Sequence, residues 1–252
     1  MRALLALTLP FAALASCPSG LINSGEPSGS VRTLGGVRTY MSPAPNNAST
    51  HAILFLPDIF GIDVPASRLV ADSMARAGYL VAMPDILLGD PRTAVPAPGF
   101  NQTAWSARHT PQATDGVIEA AVKGLRDMGV KQIGAVGYCF GGRYVVRFLA
   151  KGRGVDAGFL AHPSGVEKGE WESVSGAVSV AAAETDSAFP AAKRHEAEDV
   201  LKGKAVPYQV TLYSGVEHGF AVRGEVTDKK KRFAKEGAFL QAIRWFDEWV
   251  KA

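Results

Sequence analysis

Short apolar runs alternate with longer amphipathic stretches along most of the chain. A short run rich in Val, Ile, Leu and Ala favours a buried strand, whereas apolar residues recurring every three or four positions favour a helix. Strands are predicted at 52–56, 79–83, 132–136, 155–161, 177–183 and 208–213, and helices at 65–77, 111–128, 140–151, 188–202 and 229–251. We expect the last helix to take its apolar side from Phe233, Phe239, Leu240, Ile243, Trp245 and Phe246. This alternation predicts an α/β fold with a mostly parallel sheet and helices on both faces.

The remaining segments complete the predicted organisation. Val31 to Met41 alternates on both sides of Gly35-Gly36, which is typical of a β-hairpin. Residues 17–30 are rich in Gly, Ser and Pro and are expected to be irregular. Residues 89–111 form a loop long enough to cap a functional site. No repeat or linker interrupts the pattern, so one domain is predicted over residues 31–252.

Composition argues against a nucleic-acid partner. The 252 residues carry a formal net charge of +3, and the basic residues are scattered apart from the run Lys229 to Arg232. Such a run is typical of a solvated helix face. The glycine motifs that bind dinucleotides and nucleotide phosphates are also missing from the sequence. We therefore expect a small-molecule substrate, with no cofactor, no metal and no nucleic acid.

The first sixteen residues have the layout of a secretory signal peptide. Arg2 precedes an apolar stretch from Ala3 to Leu14, which is followed by small residues and is too short to span a bilayer. No other stretch is long enough for a membrane helix. We expect secretion, with lipidation of Cys17 in a bacterial lipoprotein box as the alternative. The sequons at Asn47 and Asn101 are candidate glycosylation sites.

The central chemical signal is Gly137-Tyr-Cys-Phe-Gly-Gly142, which joins a predicted strand to a predicted helix. It has the nucleophile-elbow pattern Gly-x-nucleophile-x-Gly of α/β-hydrolases, with Cys139 in the nucleophile position. We expect glycine at 137 and 141 because a β-carbon there would collide with neighbouring backbone. The start of a helix favours a thiolate, and the amide of Phe140 is placed for an oxyanion. The alternatives are a buried structural cysteine in a Gly-rich turn and a disulfide between Cys17 and Cys139.

A thiol nucleophile needs a base, and the base needs an acid that orients it. Two histidines lie well beyond Cys139; His195 falls within a predicted helix, whereas His218 follows a predicted strand and is favoured as the base. Two acids, Glu184 and Asp186, follow the preceding strand. The residues alone leave both open, and Asp186 could equally serve as a helix N-cap.

These residues together resemble the dienelactone hydrolase family over about Val31 to the end. The matching segments are Gly137-Tyr-Cys-Phe-Gly-Gly142, Asp186 with Pro190, His218-Gly-Phe-Ala221 and Leu56-Pro-Asp-Ile-Phe-Gly61. The resemblance implies an α/β-hydrolase fold and a catalytic Cys139, His218 and Asp186. It also implies a resting thiol held by Asp58 and an oxyanion hole completed by the amide of Ile59. Two segments resemble the sequences of fungal members most, namely Leu56-Pro-Asp-Ile-Phe-Gly61 and His162-Pro-Ser164.

Two departures from the family pattern concern, in turn, the carboxylate expected at the sulfur and the arginines expected at the substrate. Asp58 stands where the family typically has Glu, and one of the family's two carboxylate-binding arginines falls at Gly89, with Arg223 one residue late for the other. We therefore expect a small ester or lactone other than dienelactone itself, with Phe100 and Trp105 of the 89–111 loop selecting it. The alternatives are a noncatalytic exported binding protein and an acyltransferase that uses the same three residues.

Overall fold

The computed structural model describes residues 20–45, 50–95 and 97–251. These residues form one eight-stranded sheet with the strand order β1-β2-β4-β3-β5-β6-β7-β8. The strands are β1 (Ser30–Leu34), β2 (Val37–Ser42), β3 (His51–Leu56), β4 (Leu80–Pro84), β5 (Gln132–Tyr138), β6 (Ala157–Ala161), β7 (Ala177–Thr185) and β8 (Tyr208–Glu217). β1 and β2 form the predicted hairpin, and β2 runs antiparallel to β4. The other pairs are parallel, which confirms the mostly parallel sheet.

Helices cover both faces of this sheet. In the described part of the chain they are α1 (Pro65–Arg76), α2 (Gln102–Arg108), α3 (Pro111–Asp127), α4 (Phe140–Phe148), α5 (Lys168–Ser173), α6 (Ala191–Lys202), α7 (Phe220–Arg223) and α8 (Lys229–Trp249). One apolar core lies between the sheet and helices that include α3, α4 and α6, and the other between the sheet and α1 and α8. The α/β arrangement predicted from the apolar pattern, with helices on both faces of a mostly parallel sheet, is confirmed.

Strand order places the chemistry at one edge of the sheet. The carboxyl ends of parallel strands meet at the same edge, and ligands bind in α/β sheets beyond that edge. Here β3 ends before Asp58 and Ile59, β5 ends before Cys139, and β7 and β8 end next to Asp186 and His218. These residues come from distant parts of the sequence and are gathered by the fold.

Some predicted boundaries were wrong. The 89–111 loop contains the helix α2, and the short helices α5 and α7 were not predicted. The helix α4 ends at Phe148 rather than near 151, and β8 continues to Glu217. On α8, Phe239, Ile243 and Phe246 are buried as expected, but Phe233 is 74% exposed and Leu240 is 44% exposed, so the buried face is narrower than the sequence suggested.

Residues 20–29, the described part of the segment before the sheet, contain no helix or strand, as expected, but hydrogen bonds hold them to α1. The amide of Ser28 donates to the buried carboxylate of Asp72 at 2.7 Å, and the amide of Ile22 donates to the hydroxyl of Ser73 at 2.9 Å. The predicted signal peptide, Cys17 and the sequon at Asn47 lie outside the described residues.

Candidate active site

The elbow, residues 137–141, forms the sharp turn between β5 and α4. Cys139 occupies the turn with φ 52° and ψ −113°, in the left-handed half of backbone space that residues other than glycine rarely adopt. A β-carbon on Gly137 would lie 2.5 Å from the carbonyl oxygen of Gly141, and one on Gly141 would lie 2.1 Å from that of Leu56. The backbone collisions expected at both positions are therefore confirmed.

The sulfur of Cys139 lies at the start of α4, where the helix dipole favours a negative charge. The residue is 7% exposed and forms no disulfide with any residue that the structure describes. Its sulfur is 3.7 Å from the hydroxyl oxygen of Ser164. A thiol in this position is sheltered from bulk water but lies in a polar setting.

His218 and Asp186 meet beside this sulfur. Nδ1 of His218 lies 2.9 Å from each carboxylate oxygen of Asp186. Oδ1 of Asp186 also accepts from the amides of Ala188 and Phe189 at 2.8 and 3.0 Å, so the carboxylate is fixed by its own turn. This arrangement leaves the other ring nitrogen of His218 for Cys139.

The pKa values of this pair follow from burial and hydrogen bonding. Burial alone would lower the pKa of His218, but hydrogen bonds to Asp186 and Cys139 outweigh it and raise the pKa to about 10. Burial opposes ionisation of Asp186, yet the hydrogen bonds from His218, Phe189 and Ala188 hold its pKa below the usual range. These contacts make His218 a stronger base than a free imidazole and keep Asp186 ionised beside it.

The competing residues lie elsewhere. The carboxylate of Glu184 accepts from the amide of Gly215 at 2.6 Å and is exposed. His195 lies on α6, where its Nε2 is 3.1 Å from Nη2 of Arg194. Of the two acids and two histidines that the sequence left open, the structure brings Asp186 and His218 into contact with each other.

Two backbone amides at the carboxyl ends of β3 and β5 are candidates for binding an oxyanion. Phe140 is the first residue of α4, and Ile59 lies in the turn after β3 in which the amide of Gly61 donates to the carbonyl of Asp58 at 3.1 Å. Among the described residues, neither the amide of Phe140 nor that of Ile59 donates to another protein group. Both amides come from the positions that the resemblance assigns to an oxyanion hole.

Asp58 is paired with Arg223, a contact that the sequence did not indicate. The carboxylate of Asp58 is 1% exposed; it accepts from the guanidinium of Arg223 and, at 3.0 Å, from the amide of Phe60. The guanidinium also lies 4.8 Å from the ring centroid of Phe60. Burial lowers the pKa of Arg223. Within the described residues, the carboxylate of Asp58 is hydrogen-bonded to Arg223 and Phe60 and not to the sulfur of Cys139.

The aromatic residues of the 89–111 loop differ in their surroundings. Trp105 is 4% exposed, and its indole N–H donates to the carbonyl of Asp90 at 2.9 Å. Its ring stacks on His109 and meets the edge of Phe140. Phe100 is half-buried beneath the guanidinium of Arg92, 4.9 Å from the ring centroid. Trp105 therefore holds α2 against the elbow, while the side chain of Phe100 remains partly exposed.

The structure adds two residues that the sequence reasoning gave no role, His162 and Ser164. The ring of His162 is completely buried, with its centroid 5.0 Å from that of His218. Ser164 contacts the sulfur of Cys139. Both belong to the His162-Pro-Ser164 segment after β6, and the only sequence signal was its place at the carboxyl end of a strand.

Asn101 is exposed and caps α2 by accepting from the amide of Ala104 at 2.9 Å. This bond uses the side-chain oxygen and does not involve the amide nitrogen that would carry a glycan. Within the described ranges, no three His, Cys, Asp or Glu side chains converge as a metal-binding group, and no helix is both long and apolar enough to cross a membrane.

A model of the dienelactone hydrolase family matches residues 37–250. The chain belongs to the dienelactone hydrolase family. It is 42% identical over 236 residues to the hydrolase pyvD of Aspergillus violaceofuscus, covering 93% of this chain and 96% of that one. It is 33% identical over 244 residues to dienlactone hydrolase 1 of Gibberella moniliformis, covering 93% of each.

Among solved structures, the fold matches the putative dienelactone hydrolase of Klebsiella pneumoniae, with a TM-score of 0.69 at 14% identity. The match covers 84% of this chain and 93% of the other. Family membership makes the protein a hydrolase of carboxylic esters or lactones, most similar to fungal members. It favours the enzyme over the noncatalytic binding protein.

Proposed function

We propose that the protein cleaves a small ester or lactone through Cys139, His218 and Asp186, with a thioester intermediate. The observation that carries this proposal is the position of His218, whose Nδ1 is hydrogen-bonded to Asp186 and whose ring lies close enough to Cys139 at the elbow for the thiol to help raise the pKa of the imidazole. A nucleophile, a base in reach of it and an acid that orients the base are what acyl transfer requires.

The proposed reaction begins when His218 takes the thiol proton of Cys139. The thiolate attacks the carbonyl carbon of the substrate, and the amides of Phe140 and Ile59 donate hydrogen bonds to the resulting oxyanion. His218 then gives its proton to the leaving oxygen as the tetrahedral intermediate collapses to a thioester. Water, deprotonated by His218, attacks the thioester and releases the acid and the thiol.

The position of Arg223 favours a substrate that carries an anionic group. Its side chain is 35% exposed and is paired with the buried Asp58 next to the turn that carries Ile59. A substrate carboxylate at this rim would compete with Asp58 for the guanidinium, which offers a planar set of donors to carboxylates. The partly exposed ring of Phe100 contacts the rest of the substrate. Trp105 contributes indirectly, because its buried ring fixes the position of the loop.

The direct test is turnover by Cys139→Ala on a panel of lactones and activated aryl esters. We expect kcat/KM to fall by at least about 10³-fold, because losing the nucleophile removes the covalent route. His195→Ala, on the outer helix α6, is the matched control and should keep wild-type turnover. Wild-type rates in Cys139→Ala would contradict the proposal. Product analysis with an added alcohol separates hydrolysis from acyl transfer.

We further propose that residues 1–16 are a signal peptide and that the protein is secreted and glycosylated at Asn47 and Asn101. The apolar stretch before Cys17 and the exposed side chain of Asn101 support this. N-terminal sequencing of protein recovered from culture medium should find a chain that begins after residue 16. Treatment with a glycosidase should lower its mass. An intact Met1 on intracellular protein would contradict it, and a lipid on Cys17 would indicate the anchored alternative.

A further inference from the structure

Ser164 touches the sulfur of Cys139 but has no part in the reaction described above. Its Oγ lies 3.7 Å from Sγ of Cys139, and within the described chain this hydroxyl has no other hydrogen-bond partner. Ser164 is half-buried, so the contact is partly sheltered from water. A hydroxyl can accept a hydrogen bond from a thiol and can donate one to a thiolate. The contact therefore suits both protonation states of Cys139.

Main-chain hydrogen bonds hold Ser164 beside the elbow. The amide of Ser164 donates to the carbonyl of Cys139 at 3.0 Å, and the amide of Cys139 donates to the carbonyl of Ala161 at 3.3 Å. Pro163 packs against Gly142, where an added β-carbon would come 2.9 Å from Cβ of the proline. The hydroxyl is thus positioned by the same backbone that positions the sulfur.

The turn that leads into Ser164 is held equally firmly. His162 has φ 38°, and its amide donates to the carbonyl of Ala181 at 2.9 Å. Its fully buried ring contacts Tyr138 and Phe220 as well as His218. Because the peptide is fixed on both sides, Ser164 has little freedom to leave the sulfur.

A hydroxyl and a carboxylate would act differently at this sulfur. Asp58, the residue expected to hold the thiol, is engaged by Arg223 and by the amide of Phe60. A carboxylate next to the sulfur would oppose its ionisation, whereas a donating hydroxyl favours the thiolate. The group that the structure places on the sulfur is the one that assists attack.

We propose that Ser164 is a further catalytic residue, whose hydroxyl holds the sulfur of Cys139 at rest and donates a hydrogen bond to the thiolate. This assignment rests on the proposed nucleophilic role of Cys139. When the S–H bond breaks, its proton goes to the free ring nitrogen of His218 and its electron pair stays on the sulfur. The O–H bond of Ser164 remains intact, and the hydroxyl turns from accepting to donating.

Other ionisable groups surround the same sulfur and must be kept constant in a test. They are His218 after β8, Asp186 behind it, His162 after β6, and the Asp58–Arg223 pair after β3 and on α7. Removing only the hydroxyl of Ser164 leaves each of them in place. A difference in thiol ionisation between wild type and Ser164→Ala therefore reports on the hydroxyl.

The test is the pH dependence of Cys139 alkylation by iodoacetamide in the full chain, alongside aryl ester turnover. We expect Ser164→Ala to raise the apparent pKa of the thiol by about one unit and to lower kcat about tenfold, since a hydrogen bond to a charged group favours that form. Ser164→Thr keeps a hydroxyl, so its thiol pKa and its kcat should both lie close to those of the wild type. Ser173→Ala, an exposed serine at the end of α5, should match wild type.

The outcomes separate the two proposals. An unchanged alkylation profile in Ser164→Ala would overturn the role of Ser164, even if Cys139→Ala is inactive. A failure of Ser164→Thr to recover the profile would also overturn it, because the loss would then come from packing rather than from the hydroxyl. Full activity of Cys139→Ala would overturn the nucleophile itself.

Discussion

At the scale of single residues, His162 is buried without any hydrogen bond for its ring. Neither of its ring nitrogens has a partner among the described residues, and its exposed fraction is 0%. Burial lowers the pKa of His162 to about 3, and the neighbouring charge of His218 acts in the same direction. The ring is therefore neutral whenever the protein is folded near neutral pH, and it packs against His218 without competing for the proton.

This neutral ring predicts a dependence of stability on pH. An unfolded histidine titrates near pH 6.5, so between about pH 6.5 and pH 3 the unfolded chain binds a proton that folded His162 does not. The free energy of unfolding should therefore fall by about 1.5 kcal/mol from this group between pH 6.5 and pH 5. Asparagine has no titrating ring and tolerates a left-handed backbone. In His162→Asn the free energy of unfolding should therefore depend less steeply on pH between 6.5 and 5.

The measurement is urea denaturation of the wild type and of His162→Asn at several pH values in the window from 6.5 to 5. His218, whose pKa is raised, gives a contribution that is complete below pH 6.5 and disappears only as pH rises toward 10. Asp186, whose pKa is lowered, loses its contribution at pH values below the window. Equal slopes for wild type and His162→Asn would show that His162 takes up a proton in the folded state.

The sequence singled out Cys139, His218 and Asp186, which the structure brings together, but not the contacts that surround them. These three residues could be proposed because the fold dictates their order and their places at strand ends. The pair formed by Asp58 and Arg223 joins residues 165 positions apart. The contact of Ser164 depends on a turn with an unusual backbone angle at the residue two places earlier. Neither contact leaves a spacing pattern in the sequence.

At the scale of elements, the strand-turn-helix elbow depends on the space around Gly141. A β-carbon there would lie 2.1 Å from a backbone oxygen of β3, and backbone cannot move aside as a flexible side chain can. We expect Gly141→Ala to lower the free energy of unfolding by about 3 kcal/mol or more and to abolish turnover, because the turn must shift. Denaturation curves and aryl ester turnover measure both effects.

Gly116→Ala is the matched control for this substitution. Gly116 lies within α3, is exposed, and has nothing within 4 Å of an added β-carbon. Alanine in a helix interior is favoured over glycine by about 0.5–1 kcal/mol, so this variant should be slightly more stable and fully active. Similar losses in the two variants would mean that the elbow has no special steric demand.

The strands were predicted more completely than the helices. Each buried strand appears as a continuous apolar run bounded by polar or glycine residues, and all of the predicted strands exist. The helices α2, α5 and α7 contain seven, six and four residues, too few to show a repeating apolar face. Their places are set by tertiary contacts, such as the buried indole of Trp105 on α2.

At the scale of the whole molecule, strand order assembles the site. The elbow follows β5, near the middle of the sheet, while Asp186 and His218 follow β7 and β8 at one side and Ile59 follows β3 at the other. Cys139 is thus flanked by His218 and Asp186 on one side and by the turn that carries Ile59 on the other. This layout was predictable from the alternation of strands and helices, because short connections and the parallel sheet restrict the topology.

The central claim is that the sulfur of Cys139 becomes acylated during turnover and that His218 is the base for this step. Intact-protein mass spectrometry after an acid quench, with an activated aryl ester in excess, tests it directly. We predict one added acyl group, mapped to Cys139, in the wild type, much slower acylation in His218→Ala, and no added group in Cys139→Ala. Hydrolysis by Cys139→Ala at the wild-type rate, or an acyl group found on another residue, would contradict the account.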